Sequence, residues 1–149
     1  MNSYIKDIKR ILALARQNAY SSVNKAMVEA YWQIGKRIVE QEQHGEGRAA
    51  YGERILQELS KALTAEFGKG FSYANLRNFR QFYLTYPNPA ICYTLCSKLT
   101  WSHNRLIMRV EDSDARAYYL KESAEQGWSV RTLERNVNTY YYQRLICTY

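Results

Sequence analysis

The placement of proline constrains this fold more than any other feature of the sequence. The chain has only two prolines, Pro87 and Pro89, so residues 1–86 contain no residue that must interrupt a helix. Apolar side chains recur there at steps of three and four, the spacing that places them on one face of an α-helix. No alternating run is long enough to require a sheet. The sequence therefore predicts an all-α protein with six to eight helices.

The first 44 residues divide into two periodic segments. Residues 4–19 repeat isoleucine and leucine with helical spacing, and Ser21 or Ser22 is a suitable N-cap for a second helix. The sequence HGEG at residues 44–47 is a stop signal. These segments predict an N-terminal helical hairpin over residues 1–44, with one long kinked helix as the alternative.

A helix-turn-helix is predicted over residues 51–86. Residues 51–67 form one periodic segment, and the sequence GKG at residues 68–70 breaks it. Ser72 then caps a second helix, which ends before the two prolines. A helical wheel predicts that the core face of this second helix is formed by Leu76, Phe79, Tyr83 and Tyr86.

Shorter helices are predicted over residues 90–146. Their expected bounds are 90–99, 101–110, 112–126 and 129–144, with Asp112 and Ser129 as N-caps. The sequence GFS at residues 70–72 has a counterpart in GWS at residues 127–129, so the same capped corner is predicted twice. The hairpin, the helix-turn-helix and these helices are expected to form one domain, residues 1–149.

The net charge of +7 is concentrated in the middle of the chain. Residues 1–66 carry a net charge of +2 and residues 111–149 carry −1, whereas residues 67–110 contain no acid. Their six bases are Lys69, Arg77, Arg80, Lys98, Arg105 and Arg109. Because nothing in such a segment repels phosphate, it predicts contact with a polyanion. The alternative is a basic surface near a functional site elsewhere.

The outward face of the second helix of the helix-turn-helix is the candidate binding surface. Arginine, glutamine and asparagine side chains can read base edges or bind phosphates, so we expect Arg77, Asn78 and Gln81 to approach bases. The expected phosphate contacts are Lys69, Arg80 and Arg105, and Tyr73 lies on the flank of the same face. A polar outer face is also what any amphipathic surface helix shows.

No sequence motif indicates catalysis, so we expect no enzyme activity and no cofactor. Cys92, Cys96 and His103 could share a metal ion, but buried thiols are the favoured interpretation because a fourth ligand is missing. The odd number of cysteines indicates reduced thiols. The sequence contains no leader peptide and no apolar run long enough to cross a membrane, so we expect a soluble cytoplasmic protein.

Several motifs resemble the N-terminal domain of the YhcG family. They are YWQIGKRI at residues 31–38, GFS at 70–72, NL at 75–76, RQF at 80–82, LTWSHNRL at 99–106, GWSVR at 127–131 and YYQRL at 141–145. These motifs follow one another in the expected order over nearly the whole chain, which makes the resemblance specific.

The resemblance implies a predicted helix-turn-helix region that normally precedes a nuclease-like domain of the PDDEXK class in a bacterial protein. The acidic metal-binding motif of that nuclease domain has no counterpart here, and the chain stops at Tyr149, about where the domain would begin. The sequence thus predicts a non-catalytic module that targets duplex DNA. The alternative is an interaction or dimerisation module that positions a partner nuclease domain, including the possibility of a homodimer.

Overall fold

One long helix, α1 (Ser3–His44), is the first element of the computed structural model, which describes residues 3–44 and 49–147. The predicted hairpin over residues 1–44 is therefore wrong, and one long helix is observed instead. Serine is only a moderate helix former, so Ser21 and Ser22 do not force an end, and α1 contains no proline. At 1.5 Å per residue, α1 is about 60 Å long.

The next two helices form a corner closed by two glycines. They are α2 (Ala49–Phe67) and α3 (Tyr73–Thr85), close to the predicted bounds. Gly68 and Gly70 have φ values of 80° and 111°, a region that favours glycine. Ser72 caps α3 as predicted, because its Oγ accepts a hydrogen bond from the backbone N–H of Asn75 at 3.2 Å.

The remaining helices are short and complete an all-α structure. They are α4 (Pro89–Thr94), a 3-10 turn (Cys96–Lys98), α5 (Trp101–Met108), α6 (Ser113–Gln126), α7 (Val130–Asn138) and α8 (Tyr141–Cys147). Asp112 and Ser129 cap α6 and α7 as predicted. The described residues thus contain eight α-helices and no strand, which confirms the predicted fold class.

The predicted helix over residues 129–144 is divided in two. Tyr140 has a φ of 57°, which is uncommon for a residue other than glycine, and it separates α7 from α8. The hydroxyl of Tyr119 in α6 accepts a hydrogen bond from the backbone N–H of Tyr142 at 3.1 Å. The Tyr142 N–H, which has no partner within α8, is therefore hydrogen-bonded by α6. This contact compensates for the interruption between α7 and α8.

The core is built where α1 crosses α3. The rings of Tyr31 and Phe79 stack with centroids 4.3 Å apart, and Trp32 Nε1 donates to the backbone oxygen of Tyr86 at 2.7 Å. The buried face of α3 differs from the prediction at two positions. Phe82, which was not predicted to face the core, is fully buried, and Tyr83, which was, is only half-buried. Phe82 faces Trp101 of α5, so α3 is covered from two sides.

None of the helices in residues 3–44 and 49–147 combines the length and the apolar content that a membrane crossing requires.

Candidate nucleic-acid interface

The outward face of α3 lines an open groove with a volume of about 980 Å³. The second half of α1 and the first half of α2 form its other walls. Five of the seven predicted site residues line this groove, namely Tyr73, Arg77, Asn78, Arg80 and Gln81. The helical periodicity of α3 thus places these five side chains on one surface. Nothing in the sequence indicated that α1 and α2 lie beside this surface.

Arg77 is the most accessible cation of the groove. It is exposed, and its guanidinium lies 6.0 Å from the ring centroid of Tyr73, one turn earlier on α3. A ring at this distance attracts the cation weakly and limits the positions that its long side chain adopts. The guanidinium keeps its hydrogen-bond donors available for an oxygen ligand such as phosphate.

Arg80 is engaged within the protein. Its Nε donates to the two carboxylate oxygens of Glu42 at 2.8 and 2.9 Å, and the side chains are 37% and 14% exposed. This contact joins α3 to the end of α1. A phosphate would have to compete with Glu42 for the charge of Arg80.

The two amide side chains of the groove differ in their local contacts. Gln81 is exposed, and its Nε2 donates to Thr85 Oγ1 at 3.1 Å along the same helix face. Asn78 is half-buried, and no described residue hydrogen-bonds its side chain. Gln81 is therefore more accessible to a ligand than Asn78.

Lys69 and Arg105 lie outside the groove lining. Lys69 is exposed in the turn before α3, between the two glycines of the corner. Arg105 belongs to α5 and is half-buried, and its Nε is buried without a partner among the described residues. The predicted residues thus form one cluster of five and two separate positions.

The groove also contains acids that sequence reasoning missed. Glu42 and Glu53 line it together with Arg77 and Arg80. An acid-free segment of sequence is therefore not an acid-free surface, because α1 and α2 bring their own carboxylates against α3. No local motif in the sequence reveals this approach.

Cys92, Cys96 and His103 are buried residues that contribute to the packing of the domain. Cys92 and Cys96 are buried, and burial raises the pKa of the Cys92 thiol to about 12 and raises that of Cys96 further. His103 Nε2 donates to the backbone oxygen of Trp128 at 2.7 Å, while Nδ1 faces Thr100. Within the part of the chain that the structure describes, no three metal-ligating side chains of His, Cys, Asp or Glu come together.

Comparison with known proteins gives one family and one relative. The model of the family described as "DUF1016 N-terminal domain" matches residues 7–144. The chain is 37% identical over 164 aligned residues to the protein of Escherichia coli K12 described as "Putative nuclease YhcG". That alignment covers 91% of this chain but 44% of the relative, so the chain spans less than half of its length. No solved structure matches.

Proposed function

Since the chain belongs to the DUF1016 N-terminal domain family, we propose that it is a DNA-binding module that directs an associated nuclease domain to duplex DNA. The nuclease description belongs to the whole relative, and this chain spans 44% of it. The proposed role of these residues is therefore recognition, with phosphodiester cleavage assigned to another part of the protein. A location in the bacterial cytoplasm would follow from such a role.

The observation that carries this proposal is the outward face of α3. Arg77 and Gln81 are exposed there, Asn78 lies between them, and α3 itself contains no acid. We propose that these three side chains approach bases while Tyr73 lies at the flank of the contact. A capped helix that follows a tight corner is also the arrangement of a helix-turn-helix recognition helix.

The proposed phosphate contacts are Lys69, Arg80 and Arg105. Lys69 lies in the corner just before α3, so its side chain can reach the phosphates of the DNA strand next to the proposed recognition helix. Arg80 would have to exchange Glu42 for a phosphate. Arg105 lies apart on α5, so its contact requires DNA that extends beyond the groove.

A mobility-shift titration of the purified chain with duplex DNA at two salt concentrations tests this function. We expect binding at low salt that weakens steeply as salt increases, because phosphate contacts release counterions. The double variant Arg77→Ala/Gln81→Ala should bind more weakly than the unmodified chain. Absence of any shift at low salt would contradict the proposal.

The second candidate function is an interaction or dimerisation module. Its support is the exposed aliphatic face of the first half of α1, which takes no part in the core.

A further inference from the structure

The first half of α1 has an aliphatic face that no other described residue covers. Ile8, Ile11, Leu12 and Val23 are between 51% and 64% exposed. Asn24 marks the point at which α1 meets the body, since its Nδ2 donates to the backbone oxygen of Leu99 at 2.8 Å. About 20 residues of helix, roughly 30 Å, thus project from the body, although most of the stability of a protein helix comes from packing of its apolar face.

α1 is apolar on two opposite faces. At 100° per residue, Val28, Trp32 and Val39 lie on the face that is buried against the body. Leu12 and Val23 lie on the opposite face, to which the core of the domain does not extend. The second apolar face is therefore left uncovered by the described residues of the chain.

This second face leads into an apolar groove between α1 and α2, with a volume of about 680 Å³. We call it the α1–α2 groove; its aliphatic lining comes from Ala30, Ile34, Ile38, Ile55, Leu59 and Leu63, and Phe67 and Phe71 lie at its end. Phe67 is 62% exposed. A groove between two helices with this lining suits the apolar face of a third helix.

The charges of the two surfaces are complementary. Residues 3–23, the projecting half of α1, contain four bases and one acid. The described residues that form the groove and its surroundings, 29–44 and 49–67, contain six acids and four bases. Opposite net charges favour the encounter of these two surfaces and oppose contact between two copies of the same half.

We propose that a second copy of this chain covers both surfaces, through an antiparallel pair of α1 helices related by a two-fold axis near Val23. The projecting half of each copy lies in the α1–α2 groove of the other. In this register Leu12 of one copy faces Ile34 of the second, and Ala19 faces Met27. Each chain carries both the projecting helix and the groove, so one two-fold rotation covers both surfaces in both copies. This is the arrangement of an isologous dimer.

The same register matches individual charges. Lys9 and Arg16 flank the aliphatic face of the projecting half, and both are exposed. Glu58 and Glu66 are exposed on α2 beside the groove residues Leu59 and Leu63. The dimer brings the two bases of one copy towards the two acids of the other. Lys9 also lies opposite Arg37 of the groove lining, whose charge is balanced by Glu40 at 3.1 Å.

Light scattering coupled to size exclusion tests the assembly. We expect a mass of twice the 17.6 kDa of the chain, and a monomer for Leu12→Asp. Leu12 has no contact with the body, so this variant should keep the helical content and melting behaviour of the remaining domain. Gln17→Asp is the matched control, since it adds the same charge on the opposite side of α1 and should stay dimeric. A monomeric unmodified chain, or a dimeric Leu12→Asp variant, would overturn the proposal.

Disulfide cross-linking tests the register. In a Cys147→Ser background, Val23→Cys places two thiols at the proposed axis and should form a covalent dimer on mild oxidation. Ser21→Cys, two residues away on the other side of the helix, should not. Equal cross-linking of the two variants would exclude this register. The proposed dimer uses no residue of α3. A result that excludes the dimer would therefore leave the DNA-binding proposal standing, and a result that excludes DNA binding would leave the dimer standing.

Discussion

Gly35 of α1 lies directly against the backbone of Phe79 in α3. A Cβ atom on Gly35 would collide with the carbonyl oxygen of Phe79 and would lie 2.8 Å from its carbonyl carbon and 3.1 Å from Tyr83 Cβ. The two helices therefore cross at backbone distance, which is possible only without a side chain at position 35. This crossing positions the outward face of α3 and the groove that it lines.

The substitution Gly35→Ala should destabilise the fold, although alanine is the better helix former. The added methyl group must push α3 away from α1, and overpacking of this kind costs about 1–3 kcal/mol. Chemical denaturation measures the free energy of unfolding. The control is Gly52→Ala, whose Cβ would meet only the Glu42 side chain at 3.5 Å or more and should be neutral or stabilising. Equal stability of both variants would mean that the close crossing is absent.

The ion pair between Arg80 and Glu42 should limit DNA affinity. Glu42→Gln removes the competing carboxylate, so we expect tighter binding to duplex DNA at low salt, together with a loss of stability of about 1–3 kcal/mol because the Glu42 side chain is mostly buried. Fluorescence anisotropy and thermal denaturation measure the two effects. The matched control is Glu40→Gln, which changes the net charge equally but releases only the exposed Arg37. If both variants bind DNA equally, Arg80 is not a DNA contact.

His103 should be a structural residue whose loss affects stability and not binding. Its ring joins the N-terminus of α5 to the turn before α7, through Thr100 and the backbone oxygen of Trp128. His103→Ala leaves these groups without their partner, which costs about 1–3 kcal/mol. Ser102→Ala, at an exposed neighbouring position, should leave the melting temperature unchanged. A melting temperature unaffected by His103→Ala would refute this assignment.

The three cysteines should differ sharply in reactivity. Cys147 is exposed, whereas Cys92 and Cys96 are buried and the Cys92 pKa is raised to about 12, so neither buried thiol forms a thiolate near neutral pH. A thiol-reactive chromophore should therefore modify one cysteine rapidly in the native protein and all three after denaturation. Three rapid reactions in the native state would show that the core around α4 opens.

Local signals in the sequence were sufficient for much of the fold. Ser72 and Ser129 cap their helices as predicted, and Gly127 ends α6 with a φ of 65°. These features depend on a few neighbouring residues, so they can be recognised without knowledge of the tertiary structure. The wheel of α3 was correct for Leu76 and Phe79 for the same reason.

Features that depend on distant contacts could not be predicted in this way. The break at Tyr140 accompanies a hydrogen bond from the Tyr142 N–H to Tyr119, which is 23 residues away. The approach of Glu42 to Arg80 depends on how α1 crosses α3. The cap signal at Ser21 and Ser22 was misleading because a serine inside a helix resembles an N-cap locally. The candidate site was therefore predicted as a helix face, but its acidic walls were not.

The salt dependence of DNA binding by Arg77→Ala, compared with Lys98→Ala, tests the central claim most directly. Both variants remove one exposed cation from residues 67–110, but only Arg77 lines the groove of α3. If α3 faces the DNA, the plot of log K against log salt should lose about one unit of slope for Arg77→Ala and remain unchanged for Lys98→Ala. Equal slopes for the two variants would show that binding follows net charge alone and would contradict a role for α3 in DNA recognition.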